Sequence, residues 1–271
     1  MKHLRIVGAG WAGLAAAVAA VQEGWQVDLY DTAHAPGGRA RGLKQQFAGQ
    51  ALDNGQHVLI GAYQDTLNLM RTVGIEPMGL LQRIPLNLQY ADGQGIALPD
   101  LAAPWNVVLG ILRAKGWNRS DKGRLLAACW HWQRSGFSCD ASWTVSQLCA
   151  HNALTPRVLQ QLIEPLCLSA LNTPSTQASA SVFLRVLHDA LMGVKGSADL
   201  LIPTTDLSTL FPDACVRWLL DQGANVHLGH RITVSDLSSR SLQPNTDCPV
   251  VLACPASVSY THLTLPTTSR V

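Results

Sequence analysis

The sequence predicts an α/β fold in which a parallel sheet is interrupted by an inserted, mainly helical domain. Three observations carry this. The apolar run LRIV at residues 4–7 leads directly into a glycine-rich turn and an Ala-rich stretch. Two more strand-like runs, ANVHLGHRI at 224–232 and VVLACP at 250–255, come late in the chain. Between them, residues 76–198 lack the strand-and-glycine pattern and are helical in character, punctuated by Pro85, Pro99, Pro104, Pro156, Pro165 and Pro174.

The run at 4–7 reads as a buried parallel strand, and Gly8-Ala9-Gly10-Trp11-Ala12-Gly13 after it is a G-x-G-x-x-G fingerprint. Residues 14–22 favour a helix that Gly24 can end, and residues 25–30 read as the second strand, leaving Asp31 at its end. This order is that of a Rossmann-like dinucleotide-binding unit. Gly8 permits the tight turn, Gly10 lets a diphosphate approach the backbone, and Gly13 lets helix and strand pack closely. The turn through Trp11 and Ala12 opens the helix, whose free amides and positive dipole end attract an anion. Asp31 is placed to accept hydrogen bonds from ribose hydroxyls. The first twenty residues also have the basic start, apolar run and Ala-rich end of a signal peptide, but the fingerprint explains the glycines better.

The fingerprint alone does not distinguish NAD from FAD; the stretch YDTAHAPGGRARG at residues 30–42 does. A unit for NAD needs little just after its acidic residue. Here Gly37-Gly38-Arg39-Ala40-Arg41 follows, which resembles the second motif of the flavin amine oxidase and phytoene desaturase superfamily, with its GR2-type FAD-binding domain. The resemblance implies FAD, with Gly38 admitting the cofactor backbone and Arg39, or second Arg41, facing the diphosphate through directional charged hydrogen bonds.

Three further segments are similar to the squalene-associated FAD-dependent desaturases, the hydroxysqualene dehydroxylases of bacterial hopanoid synthesis. They are LDNGQHVLIGAYQDTLNLMRTVG at 52–74, EPLCLSALNTP at 164–174 and SADLLIPTTDLSTLFPD at 197–213, and the similarity runs from about residue 2 to 255. It implies a discontinuous FAD-binding domain at 1–75 and 199–256 around a substrate domain at 76–198. It implies reductive removal of an allylic hydroxyl from an isoprenoid (triterpene) lipid, hydroxysqualene, giving squalene; a carotenoid (phytoene)-type desaturase or another flavin amine oxidase superfamily member is the alternative. Asp53, Asn54, Gly55, Gln56 and His57 are expected beside the isoalloxazine ring, His57 either as proton carrier or as a hydrogen-bonded holder of its loop. The backbone of Ile232 is expected at adenine. Glu164, Asn172, Arg185 and Asp189 are the polar candidates for substrate hydroxyl contact, Glu164 and Asn172 foremost as catalytic groups. The family pattern continues with a further flavin segment that this chain does not carry, so the chain reads as C-terminally truncated, and an inactive fragment is the reading from another class.

Composition bounds the rest. With 47% apolar residues the chain can form a real core, while only 14% are charged against about 25% in ordinary domains, so the surface is either apolar or meant to be covered. A formal charge of +2 without Lys or Arg runs argues against nucleic acid. Seven cysteines, an odd number without a C-x-x-C pair, form neither a disulfide framework nor a zinc site, and fit a reducing cytoplasm. His227 and His230 lack a third ligand nearby in sequence, so no metal is expected. No run of about 18 apolar residues is present to span a bilayer. The segment WNVVLGILRAKGW at 105–117, with aromatic ends and Arg113 and Lys115 near one of them, fits either a membrane interface or a core helix, so peripheral contact with the inner face of the membrane stays open. Trp130, Trp132 and Trp143 fit either an apolar pocket or the core. The tail at 257–271 contains VSYTHLTLPTT, which resembles an in-frame sequencing adapter, and is expected to be non-native.

Overall fold

The structure is a computed structural model that describes residues 2–47, 50–233, 236 and 248–255. The tail expected to be non-native lies outside these. In chain order the first elements are β1 (His3–Val7), α1 (Trp11–Gln22), β2 (Gln26–Asp31), β3 (Gly42–Phe47), β4 (Gln50–Asp53), β5 (Leu59–Ile60), α2 (Gln64–Thr72), α3 (Pro77–Leu80) and β6 (Leu81–Ile84). Then come β7 (Asn87–Gln89), β8 (Gly95–Ala97), α4 (Trp105–Arg113), α5 (Arg119–Arg134), α6 (Val145–His151), α7 (Pro156–Val158), a π-helical turn (Leu159–Ile163), α8 (Glu164–Leu171) and α9 (Ala180–Leu191). The last are β9 (Leu200–Pro203), α10 (Leu207–Leu210), α11 (Pro212–Asp221), β10 (Asn225–Leu228) and β11 (Val250–Leu252). The described residues form two compact units, one within 1–58, 65–82 and 203–255 and the other of residues 59–64 and 83–202.

The first unit is built on a four-stranded sheet ordered β10-β2-β1-β11 with every pairing parallel. Ile6, Val27 and Leu29 are fully buried in it, as strands covered on both faces require. The chain from Thr32 to Ala224 leaves and returns between the neighbouring strands β2 and β10. Helix α1 is Ala-rich, which favours helix and keeps it slim, and buries Gly13, Leu14, Ala17, Val18 and Ala20. Gly24 ends it with φ 78°. Helix α11, started by Pro212, packs on α1. The strand expected over 224–232 is shorter: Gly229 at φ 72° turns the chain after Leu228, so 230–232 leave the sheet as a loop.

The second unit is mainly helical, with Val145, Val158, Phe183 and Leu184 fully buried in its core. Helix α5 begins with a reciprocal cap: Asn118 Oδ1 accepts the Asp121 amide at 2.9 Å and Asp121 Oδ2 accepts the Asn118 amide at 2.9 Å. Pro165 has no N–H to offer residue 161 one turn back, and the helix widens to a π-turn just before it. One hairpin departs from the expected helical character. β7 and β8 pair antiparallel, Asn87 opposite Ala97, across Asp92-Gly93 with Gly93 at φ 76°. Asp-Gly between short apolar runs is a strong hairpin signal that the helical reading of 76–198 passed over. Among the described residues no helix is long and apolar enough to cross a membrane.

Candidate functional site

A cavity of about 690 Å³ opens at the carboxyl ends of the parallel strands, lined by Val7 and Gly8 at the end of β1, Asp31 and Thr32 at the end of β2, and Ala253 to Pro255 after β11. This is where open α/β sheets place ligands. The turn before α1 is held by its neighbours. Gly8, at φ 112°, donates its N–H to the Tyr30 carbonyl at 2.7 Å, and a Cβ there would lie 2.6 Å from the Ala253 carbonyl oxygen. A Cβ on Gly13 would overlap the Gly8 carbonyl. These two glycines serve chain packing. Gly10 differs: the nearest atom to a Cβ there is the Gly38 Cα at 3.9 Å, so the space before it is open cleft. Gly10 also caps α1 without any side-chain hydrogen bond and no acidic residue occupies the first turn, which leaves the helix's amide end available to an anion.

Asp31 ends β2 with its carboxylate turned into the loops: Oδ2 accepts the Ala9 amide at 2.6 Å and Oδ1 accepts the Ala33 amide at 2.7 Å. Each oxygen keeps a second lone pair for a ligand hydroxyl. The second glycine motif lies against the first. Gly37 donates to the Ala9 carbonyl at 2.8 Å, a Cβ on Gly38 would come within 3.1 Å of the Gly10 Cα, and the Trp11 indole donates to the Ala40 carbonyl at 2.9 Å. Arg39 is exposed and lines the cavity. Arg41 is half-buried and outside the lining; its carbonyl accepts the Asn54 amide at 2.9 Å while the Asn54 side chain donates to the Arg39 carbonyl at 3.0 Å. Asn54, expected from the resemblance beside the isoalloxazine ring, thus clamps the arginine loop.

His57 lines the cavity with Nδ1 3.1 Å from the Gly55 carbonyl. Gly55 and Gln56 are exposed and outside the lining, Gly55 turning the chain at φ 90°. Ile232 is buried and lines the far end together with His230 and Arg231, fixed there by the His230 amide donating to the Asp31 carbonyl at 2.8 Å. Ala12 contributes to the rim. Thr32, His230, Arg231 and Cys254 are lining residues that sequence reading missed; they follow strand ends, a position that marks sites once the topology is known but that no residue type signals.

The described residues hold no group of three or more His, Cys, Asp or Glu side chains able to bind a metal ion. Burial pushes the Cys149 and Cys215 thiols up to about 12, so neither is a nucleophile near neutral pH.

The comparisons with known proteins bear on this cleft. The sequence matches the family described as flavin containing amine oxidoreductase over residues 11–268. The chain belongs to the flavin containing amine oxidoreductase family. A family cofactor that is a flavin, in a strand-turn-helix built for a dinucleotide, is FAD. Uncapped amides, the open space before Gly10, Asp31 and Arg39 all fit it. The hydroxysqualene dehydroxylase of Sinorhizobium fredii is 25% identical over 97% of this chain and 64% of its own length. The zeta-carotene desaturase of Synechocystis sp. is 42% identical, over 27% of this chain and 14% of its own length. In fold, the chain is similar to a CLA-producing fatty acid isomerase from P. acnes, with a TM-score of 0.58 at 15% identity over 86% of this chain and 52% of that one. The chain spans between 54% and 64% of the length of the three curated hydroxysqualene dehydroxylases it matches.

In this family member the polar candidates of the second unit have partners of their own. The Glu164 carboxylate accepts the Ser175 amide, 3.3 Å from each oxygen. Asn172 is the exposed left-handed cap of α8 at φ 49°, its amide donating to the Leu168 carbonyl at 3.0 Å. Arg185 and Asp189 pair with each other at 2.8 Å on the exposed side of α9. Of the tryptophans, Trp132 is buried in the core, Trp130 is exposed under the Arg134 guanidinium, and Trp143 lies half-buried against His151.

Proposed function

We propose that this chain is the FAD-binding and first substrate-binding part of an oxidoreductase that removes the allylic hydroxyl of hydroxysqualene to give squalene, in bacterial hopanoid synthesis. One observation carries the reading. The hydroxysqualene dehydroxylase similarity runs through nearly the whole chain, second unit included, whereas the carotene desaturase similarity covers about a quarter of it.

The amides at the start of α1 and the Arg39 guanidinium hold the cofactor's diphosphate, and Asp31 accepts its ribose hydroxyls. When bound and reduced, FAD supplies the hydride that replaces the hydroxyl, which leaves with one proton as water. His57, which lines the cleft with Nδ1 on the Gly55 carbonyl, is the group that holds or passes a proton. The mainly helical unit supplies the apolar surface for the substrate chain.

The test is to load the protein with FAD, reduce it with dithionite, add hydroxysqualene without oxygen, and look for squalene by mass spectrometry. Squalene forming in proportion to enzyme supports the reading. The carotene desaturase similarity favours a second reading, in which oxidised flavin takes hydride from a polyene; new double bonds in an acyclic carotene, with no squalene in the first assay, support that one. Bound yellow flavin with neither product leaves the cofactor half alone as the function of this chain.

A further inference from the structure

We propose that the outer face of α4 docks on an anionic phospholipid surface. The helix buries Asn106, Val107, Gly110 and Ile111 on one side. The opposite stripe, at spacing i, i+3, i+4, i+7, is Trp105, Val108, Leu109 and Leu112. A helix at a water-exposed surface carries polar residues on that side. Here Trp105 is 65% exposed and Leu112 50%, with Val108 and Leu109 partly so. The patch extends beyond the helix. Leu101, just before the helix, is 41% exposed, and Val194, next in the chain to the Lys195 that pairs with Asp100 at 3.1 Å, is 65% exposed.

Charge decides what covers this patch. From Leu101 to Ser120 every charged side chain is basic: Arg113, Lys115 and Arg119, all exposed and none in an ion pair among the described residues. The nearest carboxylates are accounted for, Asp100 by Lys195 and Asp121 by its burial in the α5 cap. An aliphatic stripe flanked by an indole at one end and by free cations at the other suits a helix lying on an anionic bilayer surface, where aliphatic side chains enter the acyl boundary, tryptophan settles at the headgroups and basic residues meet phosphates. Trp105 and Leu112 are about 10 Å apart along the axis, so the helix lies in the interface plane. No described helix spans a bilayer, so the contact is peripheral. The proposal does not depend on which lipid the enzyme reduces.

Flotation tests it. The full chain is synthesised in a cell-free system in the presence of vesicles of phosphatidylcholine with about 30% phosphatidylglycerol, or of phosphatidylcholine alone, and floated through sucrose. Wild type is expected to rise with the anionic vesicles and to be released by salt. The double variant R113Q/K115Q, at exposed positions that do not threaten the fold, is expected to lose about fivefold in binding per charge removed. W105S/L112S is expected to lose binding to both vesicle types while keeping the wild-type FAD absorbance spectrum, which separates this proposal from the cofactor reading. Wild type that stays at the bottom overturns the proposal, as does equal flotation of all variants. A dimer that W105S/L112S dissociates without change in flotation also overturns it, because a second copy then occupies the face.

Discussion

The Asp31 carboxylate takes the Ala9 amide on Oδ2 at 2.6 Å and the Ala33 amide on Oδ1 at 2.7 Å, so one side chain fixes both the turn before α1 and the loop after β2. Asp31→Asn keeps one acceptor and turns an NH2 group toward the other amide, leaving two donors face to face. A hydrogen bond to a charged group contributes about 1.5–3 kcal/mol, so the variant is expected to lose about that much stability without cofactor. FAD affinity is expected to fall by a further order of ten- to a hundredfold, because the same oxygens meet the ribose. Urea denaturation of the apoprotein and quenching of FAD fluorescence on titration measure the two effects separately.

Gly10 and Gly13 share one fingerprint and are expected to respond in opposite ways. A Cβ on Gly13 collides with the Gly8 carbonyl, in the turn held to β2 by the Gly8 amide's bond to the Tyr30 carbonyl; Gly13→Ala is expected to prevent folding or to cost several kcal/mol. A Cβ on Gly10 meets nothing nearer than 3.9 Å. Gly10→Ala is therefore expected to melt within a few degrees of wild type as apoprotein and yet bind FAD at least tenfold more weakly, since the methyl occupies space meant for the diphosphate. Thermal melts with and without FAD check this; an apoprotein melt lowered as far as that of Gly13→Ala contradicts it.

The strand, turn, helix and Asp31 were legible because each depends on local chemistry: an apolar run, glycines at fixed spacing, a carboxylate at a strand end. The clamp of Asn54 on the Arg39 and Arg41 carbonyls was not, because it joins two loops through side-chain and backbone contacts that leave no periodic trace. His230 and Arg231 enter the cleft through the bend at Gly229, inside a segment whose sequence reads as one strand over 224–232. The hairpin at Asp92-Gly93 was legible and was passed over in favour of the prevailing helical character.

Asp121 gives the second unit a pH dependence of definite sign. Burial pushes its carboxyl up, but hydrogen bonds from Thr155 and from the Asn118 amide, with the Arg157 charge nearby, outweigh that and hold it below the usual carboxylate range. A carboxyl with a depressed folded value contributes stability that is fully present above its unfolded value, near about 4, and is lost as pH falls through the folded value. Asp121→Asn is expected to be less stable by about 1–3 kcal/mol at neutral pH. The gap to wild type is expected to stay constant from about pH 8 to 5 and to close below about pH 4. Denaturation curves across that range check it, and a gap that widens on acidification reverses the sign of the argument.

Asn172 separates a structural from a chemical role in the second unit. At φ 49° it sits in left-handed backbone, where asparagine is tolerated and glycine is preferred. Asn172→Gly is expected to keep stability within about 1 kcal/mol of wild type and to leave FAD binding and turnover unchanged, while Asn172→Ala is expected to lose about 1 kcal/mol through backbone strain alone. Arg185→Gln, which opens an exposed ion pair with Asp189, is expected to alter neither the melt nor turnover. A substrate contact at Asn172 predicts the opposite pattern, loss of turnover in both variants at that position whatever their stability. Melting temperatures read beside the squalene yield of each variant decide between the two.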